Sequence, residues 1–287
     1  MTRYGDLPEV FSEKNQSAVV IVPVPYDGTS TWIKGADKGP EALIEASANM
    51  ELYDIETGTE VYKNGIYTDV PVLISDSPEL MIKAVKERIS SWLALDKFVV
   101  TVGGEHSVTI GSVEAHLLKY PDLSVLQLDA HTDLRPEYLG SKYSHACTMS
   151  RIMEFCPVTQ VGIRSMDIIE KEYLQPGRVF YAEKILQSPD WIEKVIQTLS
   201  EKVYLTVDLD VFDPSVMPST GTPEPGGFDW YTILELIRRV TEQKELVGFD
   251  IVELCPDENN KVPDFLSAKL LYKILTYKFL RVKKPAI

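Results

Sequence analysis

Six short runs of Val, Ile and Leu recur along this chain. Each is too short for a buried helix and too uniformly apolar for a sheet with one wet face. They are residues 18–24 (AVVIVPV), 97–103 (KFVVTVG), 123–130 (LSVLQLDA), 157–163 (PVTQVGI), 202–210 (KVYLTVDLD) and 245–254 (ELVGFDIVEL). Helical periodicity fills 77–95, 107–120, 190–202, 229–243 and 264–280, with Asp190, Asp229 and Asp264 standing where N-caps belong. Near-continuous apolar strands alternating with helices predict an α/β fold whose mainly parallel sheet is covered on both faces. Ligands of such sheets sit beyond the carboxyl ends of the strands. In this chain the polar clusters follow the apolar runs.

Composition narrows the function. The 287 residues carry 29 Lys and Arg against 43 Asp and Glu, a net charge of −14. Gripping a phosphate backbone needs clustered cations, so nucleic acid is not an expected partner. Three cysteines, Cys147, Cys156 and Cys255, form no CxxC pair and argue against a disulfide framework. The polar start, MTRYGDLPEVFSEKNQ, lacks the apolar core of a signal peptide, and no stretch reaches the ~18 apolar residues of a membrane span. The expectation is a cytoplasmic protein with no membrane contact.

Three clusters carry chemistry. In LQLDAHTDL, Asp129, His131 and Asp133 alternate and point one way if the chain stays extended. In YLTVDLDVFDP, Asp208 and Asp210 share a face; in VGGEHSVTIG, His106 stands between a strand and a helix start. Four carboxylates and two imidazoles suit hard or borderline divalent ions such as Mn²⁺. Two such ions balance the charge of Asp129, Asp133, Asp208 and Asp210, and would lower the pKa of a shared water. Taken singly, a DxD after a strand is more often a cap or surface turn, and a lone histidine is more often packing. Here three of the four histidines (His106, His131, His145) fall in or beside polar clusters, and only His116, inside an amphipathic helix, reads as structural.

These motifs resemble the ureohydrolase family, the arginases and agmatinases, and look closest to the agmatinase branch. The matching segments are GGEHS (103–107), DAHTD (129–133) and DLDVFDPSVMPSTGTPEPGG (208–227). VPVPYDGTSTWIKGADKGPEALIEAS (22–47), where Gly-Pro opens a helix, and FDIVELCP (249–256) resemble flanking parts of the family pattern. The resemblance implies one three-layer, arginase-like domain over 1–287 with about eight strands, and homo-oligomers, trimeric or hexameric. It implies two Mn²⁺ per chain. His106, Asp129, Asp133 and Asp208 would hold one, and Asp129, His131, Asp208 and Asp210 the other. One departure is Glu105, where many members carry Asp.

Hydrolysis of a guanidinium needs a strong nucleophile, a grip on the cation and a proton for the departing amine. Glu253 is the candidate grip, because a carboxylate accepts two guanidinium N–H bonds side by side; its neighbour Asp250 reads equally well as structural. His145, in KYSHACT, is the candidate for substrate contact and proton transfer. Asp129, at the centre of the ligand set, is the other catalytic candidate. The stretch LRPEYLGSKYS (134–144) lacks the Asn- and Ser/Thr-rich character of arginases, which places agmatine, giving putrescine and urea, first among substrates. Glu137 or Tyr138 could meet its tail, or Glu137 could pair with Arg135 or Lys142; Trp32 could line the mouth or merely pack. Aminopropylagmatine, guanidinobutyrate and arginine stay open, as do formimino or acyl C–N bonds and a catalytically silent binding protein. The basic end YKFLRVKK (277–284) reads as an interface or a solvated tail.

Overall fold

A computed structural model describes residues 3–74, 77–185 and 187–280; positions 281–284 of the basic end lie outside the described residues. The apolar runs become strands: β1 (Val19–Val24), β3 (Phe98–Gly103), β4 (Ser124–Leu128), β5 (Val158–Ile163), β7 (Lys202–Asp208) and β8 (Glu245–Val252). Two further strands, β2 (Ile66–Thr68) and β6 (Val179–Tyr181), close the edges. The order is β2-β1-β3-β8-β7-β4-β5-β6, and every pairing is parallel.

Helices α1 (Gly39–Ser47), α2 (Pro78–Leu93), α3 (Val108–Lys119), α4 (Thr148–Ile152), α5 (Ala182–Ile185), α6 (Trp191–Thr198), α7 (Trp230–Gln243) and α8 (Val262–Phe279) complete the layers. Alternate strand residues serve opposite faces. Val19 and Ile21 join a core built with α1, α6, α7 and α8, whereas Val20 and Val22 join α2 and α3. On that second face, Val125, Val158 and Tyr204 pack with Val113 of α3 and with Met149 and Ile152 of α4. The sheet is thus covered on both sides, which is why its strands carry no polar face. No described helix is long and apolar enough to cross a membrane.

Of the three expected caps, one caps by its side chain, one holds the position without the bond, and one is misplaced. Asp229 does cap α7, its carboxylate accepting from the Thr232 amide at 2.8 Å. Asp190 occupies the cap position of α6, but takes Ser188 Oγ (2.7 Å) and Lys194 Nζ (2.9 Å) instead of an amide. Asp264 lies inside α8, which starts two residues earlier because Pro263, with its fixed φ, opens the first turn. There Asp264 meets Lys261 at 3.2 Å.

Strand order decides where chemistry can gather. β3, β8, β7 and β4 lie side by side at the centre of the sheet, although β8 follows β3 by more than a hundred residues. Their carboxyl ends lead into His106, Glu253, Asp208 and Asp129 respectively. Glycine is required at one of these exits. A Cβ on Gly104 would lie 1.9 Å from the Tyr26 carbonyl oxygen, because the segment after β3 runs hard against the segment after β1.

Candidate metal centre

The polar ends of the central strands converge as two compact triads. One is His106, Asp129 and Asp208; the other is Asp129, His131 and Asp210. Asp129, fully buried, belongs to both. The sixth expected residue, Asp133, arrives by an unexpected route. The chain does not stay extended beyond β4: Asp133 takes a left-handed φ of 52°, and this turn brings its Oδ2 to 2.9 Å from His106 Nδ1. Asp129 and Asp208 stand 3.2 and 3.4 Å from the same nitrogen. On the other side, His131 Nδ1 lies 2.9 Å from Asp210 Oδ2. Asp210 is likewise not on a strand; it sits in a 3-10 turn after β7, where its amide donates to Asp208 Oδ1 at 3.0 Å.

The arrangement fits a cation. His106 Nδ1 is buried, faces three carboxylates and has no hydrogen-bond partner. Its tautomer is set from behind. Thr206 Oγ1 donates to Asp250 Oδ1 (2.6 Å), so it can only accept from His106 Nε2 (3.0 Å). That leaves Nδ1 as the lone-pair nitrogen, aimed at the carboxylates, which is how partners of a ligating histidine orient it. Asp250 itself is buried in β8, accepting from Tyr204 Oη at 2.8 Å as well, and does not line the cleft. Behind Asp129, Gln127 Nε2 donates to its Oδ2 (2.6 Å), and the His131 amide donates to its Oδ1 (2.6 Å).

Electrostatics agree with geometry. Burial, then Asp210 and Asp129, holds the Asp208 carboxyl well above the usual range. Burial and Asp129 raise Asp133 to about 7. Burial disfavours charge on His106 and His131, yet their carboxylate neighbours (Asp129 and Asp133 for the first, Asp210 and Asp129 for the second) outweigh it and raise both. A field that binds protons this tightly binds divalent cations in their place.

A cleft of about 330 Å³ opens onto this cluster, lined by His106, His131, Asp133 and Asp208 and by Glu253 and His145. Glu253 is held in a left-handed conformation (φ 65°), and its Oε1 accepts from the His106 amide at 2.7 Å. Burial, then Glu105, raises its carboxyl well above the ordinary range. Non-glycine residues with positive φ are costly and collect at functional sites; Asp133 and Glu253 are both here. His145 is lowered to about 4 by burial and by the charge of His106 and His131. Trp32 and Tyr138 line the outer part, Trp32 with 75% of its surface exposed. Glu137 is exposed and outside the lining. Arg135 turns instead to Asp167 (3.1 Å) and stacks 4.6 Å from the Tyr138 ring centre. Cys147 is buried with its thiol pushed up to about 11, the state of a packing residue. His116 packs against Tyr204 in the core, as expected for a structural histidine.

Some supports were not visible in advance. Gln127 and Thr206 sit inside apolar runs, and the available signal was a polar residue on the same strand face as a ligand, two positions before Asp129 or Asp208. Thr29, which accepts from the His145 amide at 2.9 Å, had no sequence signal; it meets the site only through the fold.

Known proteins resemble this chain in sequence and fold. A family model described as the arginase family matches residues 17–276. An N(1)-aminopropylagmatine ureohydrolase of Synechocystis sp. is 39% identical over 280 residues, covering 94% of this chain and 92% of that protein. An agmatinase of Pyrococcus horikoshii is 32% identical over 268 residues, covering 89% and 90%. The crystal structure of an agmatine ureohydrolase of Thermoplasma volcanium superposes with a TM-score of 0.86 at 29% identity, covering 97% of this chain and 94% of that one. The chain belongs to the arginase family of ureohydrolases.

Proposed function

We propose that this protein is a dinuclear manganese enzyme that hydrolyses the guanidino group of a linear amine, releasing urea. The observation that carries this reading is the pair of triads sharing Asp129 on the floor of a cleft that also holds Glu253 and His145. His106, Asp129, Asp133 and Asp208 would hold one ion, and Asp129, His131, Asp208 and Asp210 the other. Two divalent ions would supply the charge that lets a water in the cleft give up a proton near neutral pH.

The chain's own residues do the rest. Glu253 accepts guanidinium N–H bonds and holds the carbon over the ligand cluster. The water oxygen adds to that carbon, and the bond from carbon to the alkyl-bearing nitrogen breaks. His145, kept neutral by burial, takes up the proton that the water releases and passes it to the departing amine, so the products are urea and a free amine. Asp129 holds the centre of the reacting site in place. Arg135 and Asp167 of the lining neutralise one another, and Glu170 and Glu253 leave the walls acidic, so a protonated amine tail is favoured over a carboxylate.

Among amine guanidines, N(1)-aminopropylagmatine takes first place over agmatine, because relatives named for it are more similar to this chain than those named agmatinase. Either product is a polyamine. A single domain, a homo-oligomer and a cytoplasmic location complete the proposal.

The test is urea release by the Mn²⁺-loaded protein from aminopropylagmatine, agmatine and arginine in parallel. The expected ranking in kcat/KM is aminopropylagmatine, then agmatine, with arginine at least about 10²-fold below. A buried or wall-side carboxylate facing the substrate's own carboxylate costs several kcal/mol. No urea from any of the three, in protein shown to hold two ions, would overturn the reading.

A further inference from the structure

Glu105, the one visible departure from the family motif, is completely buried beside the cleft and surrounded by donors. Its Oε2 accepts from the amides of Thr29 (2.5 Å) and Ser30 (2.9 Å), with Ser30 Oγ at 3.4 Å. Its Oε1 accepts from the hydroxyls of Thr29 and Ser107, both at 2.6 Å. These donors fill the acceptor sites of a carboxylate and leave none for a proton of its own.

Thr29 has one hydroxyl hydrogen, and Glu105 takes it. The Thr29 oxygen can then only accept from its other partners, the His145 amide (2.9 Å) and His145 Nδ1 (3.1 Å). Ser144 Oγ stands farther from Nδ1, at 3.4 Å. Nδ1 must therefore carry the proton, and Nε2 becomes the lone-pair nitrogen of a neutral ring.

We infer that Glu105 and Thr29 are positioning residues that fix His145 in its Nδ1–H tautomer, so that Nε2 is the nitrogen that exchanges protons with the reaction. This rests on the proton-transfer role proposed above for His145. It also gives the longer side chain at 105 a purpose. From the turn after β3 it reaches across to the loop after β1, fastening both the cleft wall at Thr29 and Ser30 and the imidazole behind it. Thr206 and Asp250 do the equivalent for His106, but with the opposite nitrogen left bare.

The test uses Thr29→Val, which keeps shape and backbone amide but loses the hydroxyl, beside Thr29→Ser, which retains it. In the full-length protein with metal content verified, Thr29→Val should lower kcat by about 10- to 100-fold, less than the ~10²–10⁴-fold for removing an acid–base group outright. KM should change far less, and Thr29→Ser should restore most of the rate. The second readout is ¹⁵N NMR of histidine-labelled protein loaded with diamagnetic Zn²⁺, with His145→Asn used to assign the signals. His145 should show protonated Nδ1 in the parent and in Thr29→Ser, and lose that preference in Thr29→Val. A parent protein with Nε2 protonated, or a Thr29→Val variant with unchanged kcat, overturns the inference. If the parent holds metal yet releases no urea, the functional reading fails, and the NMR signal alone decides the tautomer.

Discussion

Asp129 offers one oxygen to each triad while both oxygens are steadied from behind, by Gln127 and by the His131 amide. Removing its charge should therefore disturb both ion positions at once. Asp129→Asn keeps the shape and loses the charge. Elemental analysis is expected to find less than one ion per chain, and urea release should fall by more than about 10²-fold, beyond the ~10–100-fold typical of losing a supporting partner. A variant that still holds two ions would show that the sharing is not what retains them. Asp133→Asn is the contrast: Asp133 reaches the cluster only through its approach to His106, so at least one ion should remain. Asp133 also marks the limit of reading geometry from spacing. Alternation correctly grouped Asp129, His131 and Asp133, but assumed an extended backbone, and a left-handed turn delivers the third residue instead.

Among the elements, α7 shows a cap acting as sequence rules anticipate, with Asp229 closing the Thr232 amide. Asp229→Ala should cost about 1 kcal/mol. For a chain of this size that is a fall in melting temperature of roughly 2–4 °C, with urea release unchanged, since Asp229 is not part of the cleft. Thermal unfolding followed by circular dichroism checks it; no shift would mean that water replaces the carboxylate at no cost. The central strands and long helices were legible because burial on both faces leaves mostly apolar side chains. β2 and β6 were not. Each has three residues, and β6 is only half-buried, so neither builds a periodic pattern. The short α4 and α5 escaped for the same reason. The clustered site residues were legible because carboxylates crowded at strand ends have few structural uses. Their supports were hidden, since Thr29 is distant from the cluster in sequence and meets it only because β1 and β3 are neighbours, and Gln127 and Thr206 look like ordinary strand positions.

Taken whole, the molecule concentrates unlike charges at the middle of its sheet, and this shapes how acidity acts on it. Without ions, Asp133 and Asp208 bind protons more tightly folded than unfolded, the first up to about 7, and so do His106 and His131. Stability from such groups is present at low pH and lost as pH rises, for Asp133 between about 4 and about 7 and for the histidines above about 6.5. Asp129 has the opposite sign, but its carboxyl is held below the ordinary range, so its window lies at stronger acidity. Metal-free protein should therefore melt at lower temperature at pH 8 than at pH 5. Saturating Mn²⁺ should reverse the order, since ions compete with fewer protons at pH 8. A metal-free melting temperature that is flat or rises with pH would contradict the charge crowding.

The sheet order has one more consequence, for the timing of assembly. The first triad waits for Asp208 and the second for Asp210, both in the last third of the chain, while Glu253 follows later still. A ribosome making this protein from its N-terminus will have released β1 through β6 before either ion pocket can close. The nascent chain must lay down most of its scaffold unaided, leaving a gap between β3 and β4 that only β7 and β8 can fill. On the metal-binding reading proposed above, ion capture is a late seal on a nearly finished product, so scarcity of the ion should stall maturation and not synthesis.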